Sequence, residues 1–421
     1  MKDSTKCLHA GYKPRNTEPR VMPIVQSTTY VYDSTADVAA VFDDPTRSLI
    51  YSRFANPTVM AVEEKICELE GGAGAMCTTS GQAASLLSIL TLCRAGDSFI
   101  SLSEIYGGTV NLFAFTLKKL GIECIFVDKN ATDEEINAAF KPNTKLVFGE
   151  TIANPALSVL DIERFANIAH SHNVPLIVDS TFATPILCKP FDFGADIVIH
   201  STTKYMDGHA VQGGGIIVDS GNFDWASGDF PELTQPDESY HGIVYTETYG
   251  KVAYILKARM QLMRDFGCYP AAHSAFLLNL GLETLPQRMK QHCENALAVA
   301  KYLKDCDMVE SVTYPFLEGD ANYELAQKYL KGGSGVISFV IKGGRDIAMQ
   351  FMDSLELASN EVHVADIRTC VLHPASETHR QLTDEQLKAA GIEAGMIRLS
   401  VGLEDIEDII ADIEQAFEKT R

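Results

Sequence analysis

The clearest helix in the first half of the chain is predicted to begin at Asn56. Asn is a favourable N-cap residue, and a proline such as Pro57 is tolerated in the first turn of a helix. Gly71 ends the pattern, since glycine adopts the left-handed conformation found after many helices. Between these residues, apolar side chains recur at the spacing of one helix face, at Val59, Val62, Ile66 and Leu69.

After this helix, short apolar runs alternate with helical patterns as far as residue 218. Strands are predicted over 98–102, 122–127, 146–148, 175–179, 196–200 and 215–218. Helices are predicted after Gly81, over 110–120, from a capping box of Thr132 and Glu135, and over 161–172. No strand is predicted directly before Gly81. This alternation is typical of a mostly parallel sheet covered by helices, in which ligands bind beyond the carboxyl ends of the strands.

The pattern divides the chain into three regions. Residues 1–57 show little periodicity and are interpreted as an N-terminal arm. Residues 58–270 are predicted to form a large α/β domain, in which the polar stretch 221–268 is interpreted as an insertion-like excursion. Residues 271–421 are predicted to form a smaller α+β domain. Its helices are placed near 271–280, 287–304 and 346–357 and from Glu404, and its strands near 308–314, 335–342 and 396–401.

Composition narrows the classes of function. The chain has 421 residues and a formal net charge of −21, so nucleic acid and anionic membranes are not expected partners. No apolar run reaches the roughly 20 residues needed to cross a bilayer. The N-terminus is polar, without the apolar core of a signal peptide, and a cytoplasmic protein with reduced thiols is expected. The 10 cysteines form no CxxC pair, and no metal site is predicted.

Four polar clusters follow apolar runs, at 78–82, 106–109, 179 and 200–204. Each alone has a plain structural interpretation, as a capped helix, a turn, a strand cap or a solvated lysine. Together they fit a cofactor that stores electrons in a pyridine ring. Lys204 would form a Schiff base with its aldehyde, and Asp179 would keep the ring nitrogen protonated. A helix start and nearby hydroxyls would hold a phosphate, and Tyr106 would stack on the ring.

Matches along nearly the whole chain support this chemistry. They lie at 51–58, 79–83, 106–109, 150–155, 178–181, 201–205, 373–379 and 397–405. In these stretches the chain resembles the Cys/Met metabolism family, the cystathionine γ-synthase-like enzymes. The resemblance implies a fold-type I pyridoxal-phosphate transferase, with a large mostly parallel sheet domain covered by helices, a smaller C-terminal α+β domain and an N-terminal arm.

The resemblance also implies roles for individual residues around pyridoxal 5'-phosphate. Lys204 would bind the cofactor and shuttle protons, with Asp179 at the pyridinium nitrogen and Tyr106 on the ring. Arg398 would grip the substrate α-carboxylate through its guanidinium group. Asn154 would touch the cofactor ring or that carboxylate. The phosphate would be held by Gly81, Gln82, Ser201 and Thr203, and by Tyr51 and Arg53 from a neighbouring subunit.

One branch of the family is favoured by two features. Residues 215–225 and 239–242 resemble the O-acetylhomoserine sulfhydrylases, and Gly108 stands where methionine γ-lyases usually carry cysteine. This implies a γ-replacement that converts O-acetylhomoserine and sulfide, or a thiol, to homocysteine, or methionine, and acetate. Tyr106 is a candidate to assist the leaving group. One departure is His363, where the family usually has Ser or Asn.

Other possibilities stay open at this point. The same cofactor could serve methionine γ-lyase or cystathionine γ-lyase or synthase activity, and the leaving group could be acetyl or succinyl. Ser201-x-x-Lys204 fits the S-x-x-K of serine hydrolases, but the partner strings S-D-N and K-T-G do not occur. A non-catalytic scaffold is a third alternative. The family implies a homotetramer built as a dimer of dimers, and a sulfur-carrier protein that docks at 221–268 is a possible partner.

Overall fold

The computed structural model describes residues 1–44, 48–378, 380, 387 and 392–421. In these residues a seven-stranded sheet has the strand order β1-β7-β6-β5-β4-β2-β3. Its strands are β1 Gly74–Thr78, β2 Ser98–Leu102, β3 Glu123–Val127, β4 Thr144–Glu150, β5 Leu176–Asp179, β6 Ile197–His200 and β7 Gly215–Asp219. The six apolar runs predicted as strands between residues 98 and 218 therefore all lie in one sheet.

The sheet is mostly parallel, with one exception. Strands β3, β2, β4, β5 and β6 pair in parallel, whereas β7 is antiparallel to both β6 and β1. A parallel connection needs a crossover, usually a helix. Residues 201–214 join β6 to β7 with turns only, so the chain returns in the opposite direction.

Strand β1 corrects the expectation that no strand precedes Gly81. Its sequence, Gly-Ala-Met-Cys-Thr, contains small residues with little strand preference. The strand forms at the edge of the sheet because it pairs with β7 over five residue pairs, from Gly74 with Asp219 to Thr78 with Gly215. Tertiary pairing has overridden local preference here.

Helices cover the large sheet. They span Asp3–His9, Thr35–Asp43, Pro57–Glu70, Gly81–Leu90, Gly107–Asn111, Leu117–Lys119, Asp133–Ala139, Ile162–Ser171 and Thr184–Leu187, with a π-helical turn at Leu112–Thr116 and a 3-10 turn at Pro190–Phe193. The predicted caps are present. Asn56 accepts a hydrogen bond from the Thr58 N–H, and Thr132 and Glu135 form a capping box.

Segment 221–268 is more than a polar excursion. It folds into short helices at Trp225–Ser227, Pro231–Thr234, Glu238–Tyr240, Tyr245–Tyr249, Gly250–Val252, Ala253–Lys257, Ala258–Met263 and Arg264–Phe266. Its Trp225, Phe230, Tyr245 and Tyr254 are buried in the same core as the large sheet. The rings of Trp225 and Tyr254 stack with centroids 5.5 Å apart. The helices before residue 250 are short, and from Gly250 to Phe266 the chain is continuously helical but changes between 3-10, α and π geometry, so the segment carries no single long periodic pattern.

A second sheet, in the part of the chain after residue 300 that the structure describes, has the order β10-β11-β12-β9-β8. Its strands are β8 Val309–Thr313, β9 Val336–Ile341, β10 Ser359–Asn360, β11 Cys370–Leu372 and β12 Met396–Ser400. The helices that pack with it are Leu285–Lys304, Gly344–Ser354 and Ile406–Thr420, whereas Ala272–Glu283 and Tyr323–Tyr329 pack into the core of the large sheet. Phe339, Phe351 and Phe417 centre a separate apolar core between this sheet and its helices.

The N-terminal segment is mostly extended and is anchored by a few polar contacts. The Thr58 hydroxyl donates to the Pro23 carbonyl at 2.8 Å and accepts from the Val25 N–H at 2.9 Å. The buried Lys65 ammonium donates to the Cys7 carbonyl at 2.8 Å. Val31, by contrast, is almost fully exposed. The segment is therefore held at particular points while much of its apolar surface stays uncovered in the single chain.

No helix among the described residues combines the length and the apolar character required to span a membrane. Within the same residues, no three His, Cys, Asp or Glu side chains are grouped as metal ligands.

Thr58→Val should loosen the N-terminal segment. The substitution keeps the side-chain shape but leaves the Pro23 carbonyl and the Val25 N–H without their partner, which costs about 1–3 kcal/mol. We expect a lower urea midpoint and faster trypsin cleavage after Arg15 or Arg20. Thr58→Ser keeps the hydroxyl and is the matched control. Equal cleavage of the Val variant and the wild type would show that these two hydrogen bonds do not anchor the segment.

Candidate active site

The polar residues that follow the strands meet at one edge of the large sheet. Glu150 ends β4, Asp179 ends β5 and His200 ends β6. The register pairs Glu150 with Asp179 and Asp179 with Ile199, so these ends lie side by side. Thr78, which ends β1, lies at the same edge because β1 and β6 both run antiparallel to β7. Four separate stretches of sequence thus contribute to one site.

Lys204 lies in the turns that follow β6 and is largely buried. Its Nζ is 3.4 Å from Nδ1 of His363. Burial and the nearby guanidinium group of Arg398 lower the pKa of the Lys204 amine to about 8. A substantial fraction of this amine is neutral near pH 8, as a nucleophile or a proton acceptor must be.

Asp179 is held by Thr181, which the motif analysis did not single out as a site residue. The Thr181 backbone N–H donates to Oδ1 of Asp179 at 3.0 Å, and its hydroxyl donates to the same oxygen. The hydroxyl also accepts from the Ser201 N–H at 2.8 Å. Burial raises the pKa of Asp179. Thr181 thus connects the carboxylate after β5 to the turn that carries Lys204.

The start of helix Gly81–Leu90 forms a narrow cradle. The N–H groups of a first helical turn have no acceptors within the helix, and here Ser80 occupies only that of Ala83. A Cβ atom at Gly81 would lie 2.6 Å from Cβ and 2.9 Å from Cα of Ser201. The Thr203 hydroxyl accepts from the Gly214 N–H at 3.0 Å, which fixes it near this cradle. Such an arrangement suits a phosphate.

Glu150 organises the residues around Tyr106. One carboxylate oxygen accepts from the Tyr106 N–H at 2.6 Å and the other from the Asn154 N–H at 3.3 Å. Burial and the neighbouring Asp179 raise the pKa of Glu150 well above its usual value. The sequence analysis quoted Glu150 in a matching stretch without giving it a role. An acid that ends a buried strand, as Asp179 does, was the available signal.

The ring of Tyr106 is about half exposed, and it lies close to two other site residues. A Cβ at Gly108 would meet Cε1 of Tyr106 at 2.5 Å and Nε2 of Gln82 at 2.7 Å. The structure therefore brings the predicted stacking residue and the predicted phosphate residue Gln82 together. It also shows that any side chain at position 108 would press on both.

Arg398 on β12 joins the two sheets at the site. Its Nη1 donates to Oδ1 of Asn154 at 3.2 Å, and its Nη2 donates to the carbonyls of Val362 and His363 at 3.3 and 3.1 Å. Its buried Nε has no partner among the described residues. Burial lowers the pKa of the guanidinium group. These contacts bring together Arg398 and Asn154, the two residues predicted to bind substrate.

Tyr51 and Arg53 have contacts of a different kind. Nη1 of Arg53 donates to the Arg264 carbonyl at 2.8 Å, and the guanidinium group lies 5.6 Å from the centroid of the Tyr51 ring. No hydrogen bond between the described residues of the single chain joins this pair to Lys204, Ser201 or Thr203. The single chain does not bring them to the other predicted cofactor residues through direct contact.

Comparison with known proteins identifies the family. A family described as Cys/Met metabolism PLP-dependent enzymes matches residues 4–418. The chain belongs to this family. Homocysteine synthase from Schizosaccharomyces pombe is 46% identical over 98% of this chain and 97% of its own length. O-acetyl-L-homoserine sulfhydrylase from Leptospira meyeri is 42% identical over 99% of this chain and 96% of its own length.

Solved structures agree with this assignment. A putative O-acetylhomoserine (thiol)-lyase from Campylobacter jejuni superposes with a TM-score of 0.95 at 34% identity, covering 99% of this chain and all of the other. That structure contains an N'-pyridoxyl-lysine-5'-monophosphate residue. MetB from Corynebacterium glutamicum superposes with a TM-score of 0.84 at 32% identity, covering 100% of this chain and 99% of its own. The fold class implied by the sequence, fold-type I, is confirmed.

The residues present fit the family's cofactor, pyridoxal 5'-phosphate. The amine of Lys204 has a lowered pKa, and the carboxylate of Asp179 is buried at the end of a central strand. The cradle between Gly81 and Ser201 is too narrow for a Cβ atom and leaves backbone N–H groups for a phosphate. Each functional group of the cofactor therefore has a chemically suitable counterpart at one sheet edge.

Gly81→Ala should weaken cofactor binding. The added methyl group would contact both the side chain and the backbone of Ser201, and such overpacking costs about 1–3 kcal/mol, or about 5- to 150-fold in Kd. Titration of the cofactor-free protein, followed by visible absorbance, measures this Kd. The matched control is Gly107→Ala, where a Cβ meets no atom within 4 Å. Equal affinity in the two variants would contradict the assignment of this cradle to the phosphate.

Proposed function

We propose that the protein catalyses a γ-replacement in which O-acetylhomoserine and sulfide give homocysteine and acetate. The observation that carries the proposal is the similarity, over nearly the full chain, to proteins named O-acetyl-L-homoserine sulfhydrylase and homocysteine synthase. The side-chain arrangement at the sheet edge is suited to this chemistry. A thiol in place of sulfide would give methionine when that thiol is methanethiol.

The substrate end of the proposed site is built around Arg398. A guanidinium group binds a carboxylate through two parallel hydrogen bonds, and the buried Nε of Arg398 has no other partner among the described residues. Asn154 keeps the guanidinium group in place through its 3.2 Å contact and lies beside the same carboxylate. The amino group of the substrate is thereby directed towards Lys204.

The cofactor end of the proposed site uses six residues of this chain besides Lys204. Gly81, Gln82, Ser201 and Thr203 bind the phosphate, and Asp179 holds a proton on the ring nitrogen. The cofactor, when bound, supplies an electron sink that makes the adjacent carbon–hydrogen bonds of the substrate acidic. Tyr106 covers the ring, and its position is held by the hydrogen bond from its backbone N–H to Glu150.

Lys204 carries protons in the proposed reaction. Its neutral amine accepts the proton from Cα of the substrate, and a second proton leaves Cβ before acetate departs from Cγ. Hydrosulfide then adds at Cγ, and the two protons return to carbon. In balance, O-acetylhomoserine and hydrosulfide become homocysteine and acetate. In this proposal the phenol of Tyr106 assists the departing acetate by donating a hydrogen bond.

The runner-up function is methionine γ-lyase activity on the same site. Elimination and replacement share their early steps, and a barrier difference of about 1.4 kcal/mol between them gives a tenfold preference. Gly108 is the residue that bears on this choice. A side chain at this position would press on Tyr106 and Gln82, so glycine leaves more room at the reacting centre.

We further propose the assembly and the location of the protein. The uncovered N-terminal segment and the position of Arg53 favour a dimer in which residues 1–57 contact a neighbouring subunit, and two such dimers form a homotetramer. Residues 58–270 hold the cofactor, and residues 271–421 form the smaller domain that contributes Arg398. The protein acts in the cytoplasm. A sulfur-carrier protein is an alternative source of sulfide, for which segment 221–268 offers a docking surface.

Product analysis tests the proposed reaction. The holoenzyme is incubated separately with O-acetylhomoserine, O-succinylhomoserine, cystathionine and methionine, with and without sulfide. We expect O-acetylhomoserine with sulfide to give homocysteine about tenfold or more faster than methionine gives 2-oxobutyrate. Lys204→Ala should lack both the activity and the visible absorbance band. Methionine cleavage at an equal rate would replace the sulfhydrylase proposal with the lyase.

A mixing experiment tests whether the site is shared between subunits. Arg53→Ala and Lys204→Ala subunits, each inactive, are mixed under conditions that exchange subunits. Random pairing should restore about a quarter of the wild-type sites, because half of the dimers are hybrids with one intact site. The control is a mixture of Lys204→Ala and Arg398→Ala subunits. Each of these substitutions inactivates the site of the chain that carries it, so a hybrid dimer has no intact site and no activity should return. Recovery absent from both mixtures would show that Arg53 acts within its own chain.

A further inference from the structure

His363 is the residue closest to the reacting amine that has no role in the proposed function. It lies between β10 and β11, and Nδ1 of its imidazole is 3.4 Å from Nζ of Lys204. Its other ring nitrogen, Nε2, is buried without a hydrogen-bond partner in the described part of the chain. Among the described side chains, the imidazole therefore has a hydrogen-bonding contact only with Lys204.

The position of His363 is set by contacts on both sides of the site. Its carbonyl accepts from Nη2 of Arg398 at 3.1 Å and from the Cys370 thiol at 3.6 Å. A few residues further on, the Ile367 N–H donates to the carbonyl of Gly208, in the turns that follow Lys204. The backbone around His363 is thus tied both to the second sheet and to the lysine segment. A stable distance between the imidazole and the amine follows.

The electrostatic surroundings keep the imidazole neutral but able to take a proton. Burial and the charge of Lys204 lower the pKa of His363, whereas Asp366, Glu361 and Asp207 act in the opposite direction. The guanidinium group of Arg398 is the other cation beside this segment. The effect of Lys204 disappears once a proton has moved from the amine to the imidazole. The cost of that transfer is therefore smaller than the resting pKa values imply.

We propose that His363 is a second proton carrier, which takes a proton from Lys204 between the two proton removals of the reaction. In this step an N–H bond of the Lys204 ammonium breaks, an N–H bond forms at Nδ1, and the positive charge moves to the imidazolium. No electrons are gained or lost by the pair. Lys204 is then neutral again and accepts the proton from Cβ. The proposal rests on the two successive proton removals of the proposed function.

In the proposed reaction the amine of Lys204 accepts protons from two carbon atoms of the substrate. An amine that has accepted the Cα proton cannot accept another until the first has left. A neighbouring imidazole, with its Nδ1 3.4 Å from the amine, provides that exit. The Asn or Ser that the family resemblance implies at this position forms hydrogen bonds but carries no proton near neutral pH. Replacing His363 with Asn therefore removes the ability to carry a proton but keeps a side chain that forms hydrogen bonds, and an experiment can measure this difference.

Hydrogen exchange in D2O separates the two removals. L-Norvaline has hydrogens on Cα and Cβ but no leaving group, and proton NMR follows both exchange rates with the holoenzyme. For His363→Asn we expect Cα exchange within about threefold of wild type and Cβ exchange slower by about tenfold or more. His363→Gln is a second variant in case the first does not bind the cofactor. The control is His209→Asn, a half-buried histidine whose ring bonds to the Asp207 carbonyl.

A spectroscopic titration gives a readout that does not depend on turnover. The visible band of the holoenzyme is followed between about pH 5.5 and 9.5. An imidazole that accepts a hydrogen bond from the protonated nitrogen of Lys204 favours protonation, so His363→Ala should lower the midpoint by about half to one pH unit. His209→Asn should leave the midpoint unchanged.

The outcomes are distinct. A selective loss of Cβ exchange in His363→Asn together with a lowered midpoint in His363→Ala supports the proton carrier. Equal effects on Cα and Cβ exchange, an unchanged midpoint, or the same changes in His209→Asn overturn it. Normal exchange by wild type without homocysteine formation would overturn the proposed function instead, because exchange with norvaline requires neither acetate loss nor sulfide.

Discussion

The buried carboxylate of Asp179 is the constraint on which the rest of the site depends. Desolvation makes a charged carboxylate costly inside a protein, so it must receive hydrogen bonds or face a cation. Thr181 supplies the hydrogen bonds and passes the connection on to Ser201. The lysine segment begins there. A single threonine therefore fixes the acid after β5 and the start of the turns that carry Lys204, and the spacing between these groups follows from the spacing of neighbouring strands.

A second connection closes the site from the other sheet. Arg398 reaches Asn154 across 244 residues of sequence and lies nine-tenths buried or more, and its Nε has no partner among the described residues. A buried guanidinium group without a carboxylate partner is expensive. The α-carboxylate of an amino acid would offset that cost, and this would favour the binding of such a ligand by the free protein.

The local electrostatics oppose the overall charge of the chain. The net charge is −21, yet Lys204, Arg398 and His363 converge at one point. Burial lowers the pKa values of all three groups, and repulsion from a neighbouring cation lowers those of Lys204 and His363 further. The result is a site that attracts a carboxylate while its amine and imidazole remain able to lose protons. Proton transfer and substrate binding thus depend on the same cluster of basic groups.

The sequence by itself determined the local features and the family. Helix Pro57–Glu70, the capping box of Thr132 and Glu135, and the strand runs depend on neighbours along the chain, and their patterns are visible without a structure. Ordered motifs around Lys204, Asp179 and Arg398 indicated the cofactor. These features were predictable because hydrophobic periodicity and capping are set within a few residues.

Only the tertiary structure determined the contacts between segments that lie far apart in the sequence. Strand β1 forms because β7 lies beside it, and segment 221–268 folds into the core because its aromatic rings find partners there. The parts played by Glu150 and Thr181 come from the side-by-side ends of three strands. The contact between Lys204 and His363 spans 159 residues. No local pattern encodes such a distance, since it depends on how two sheets pack together.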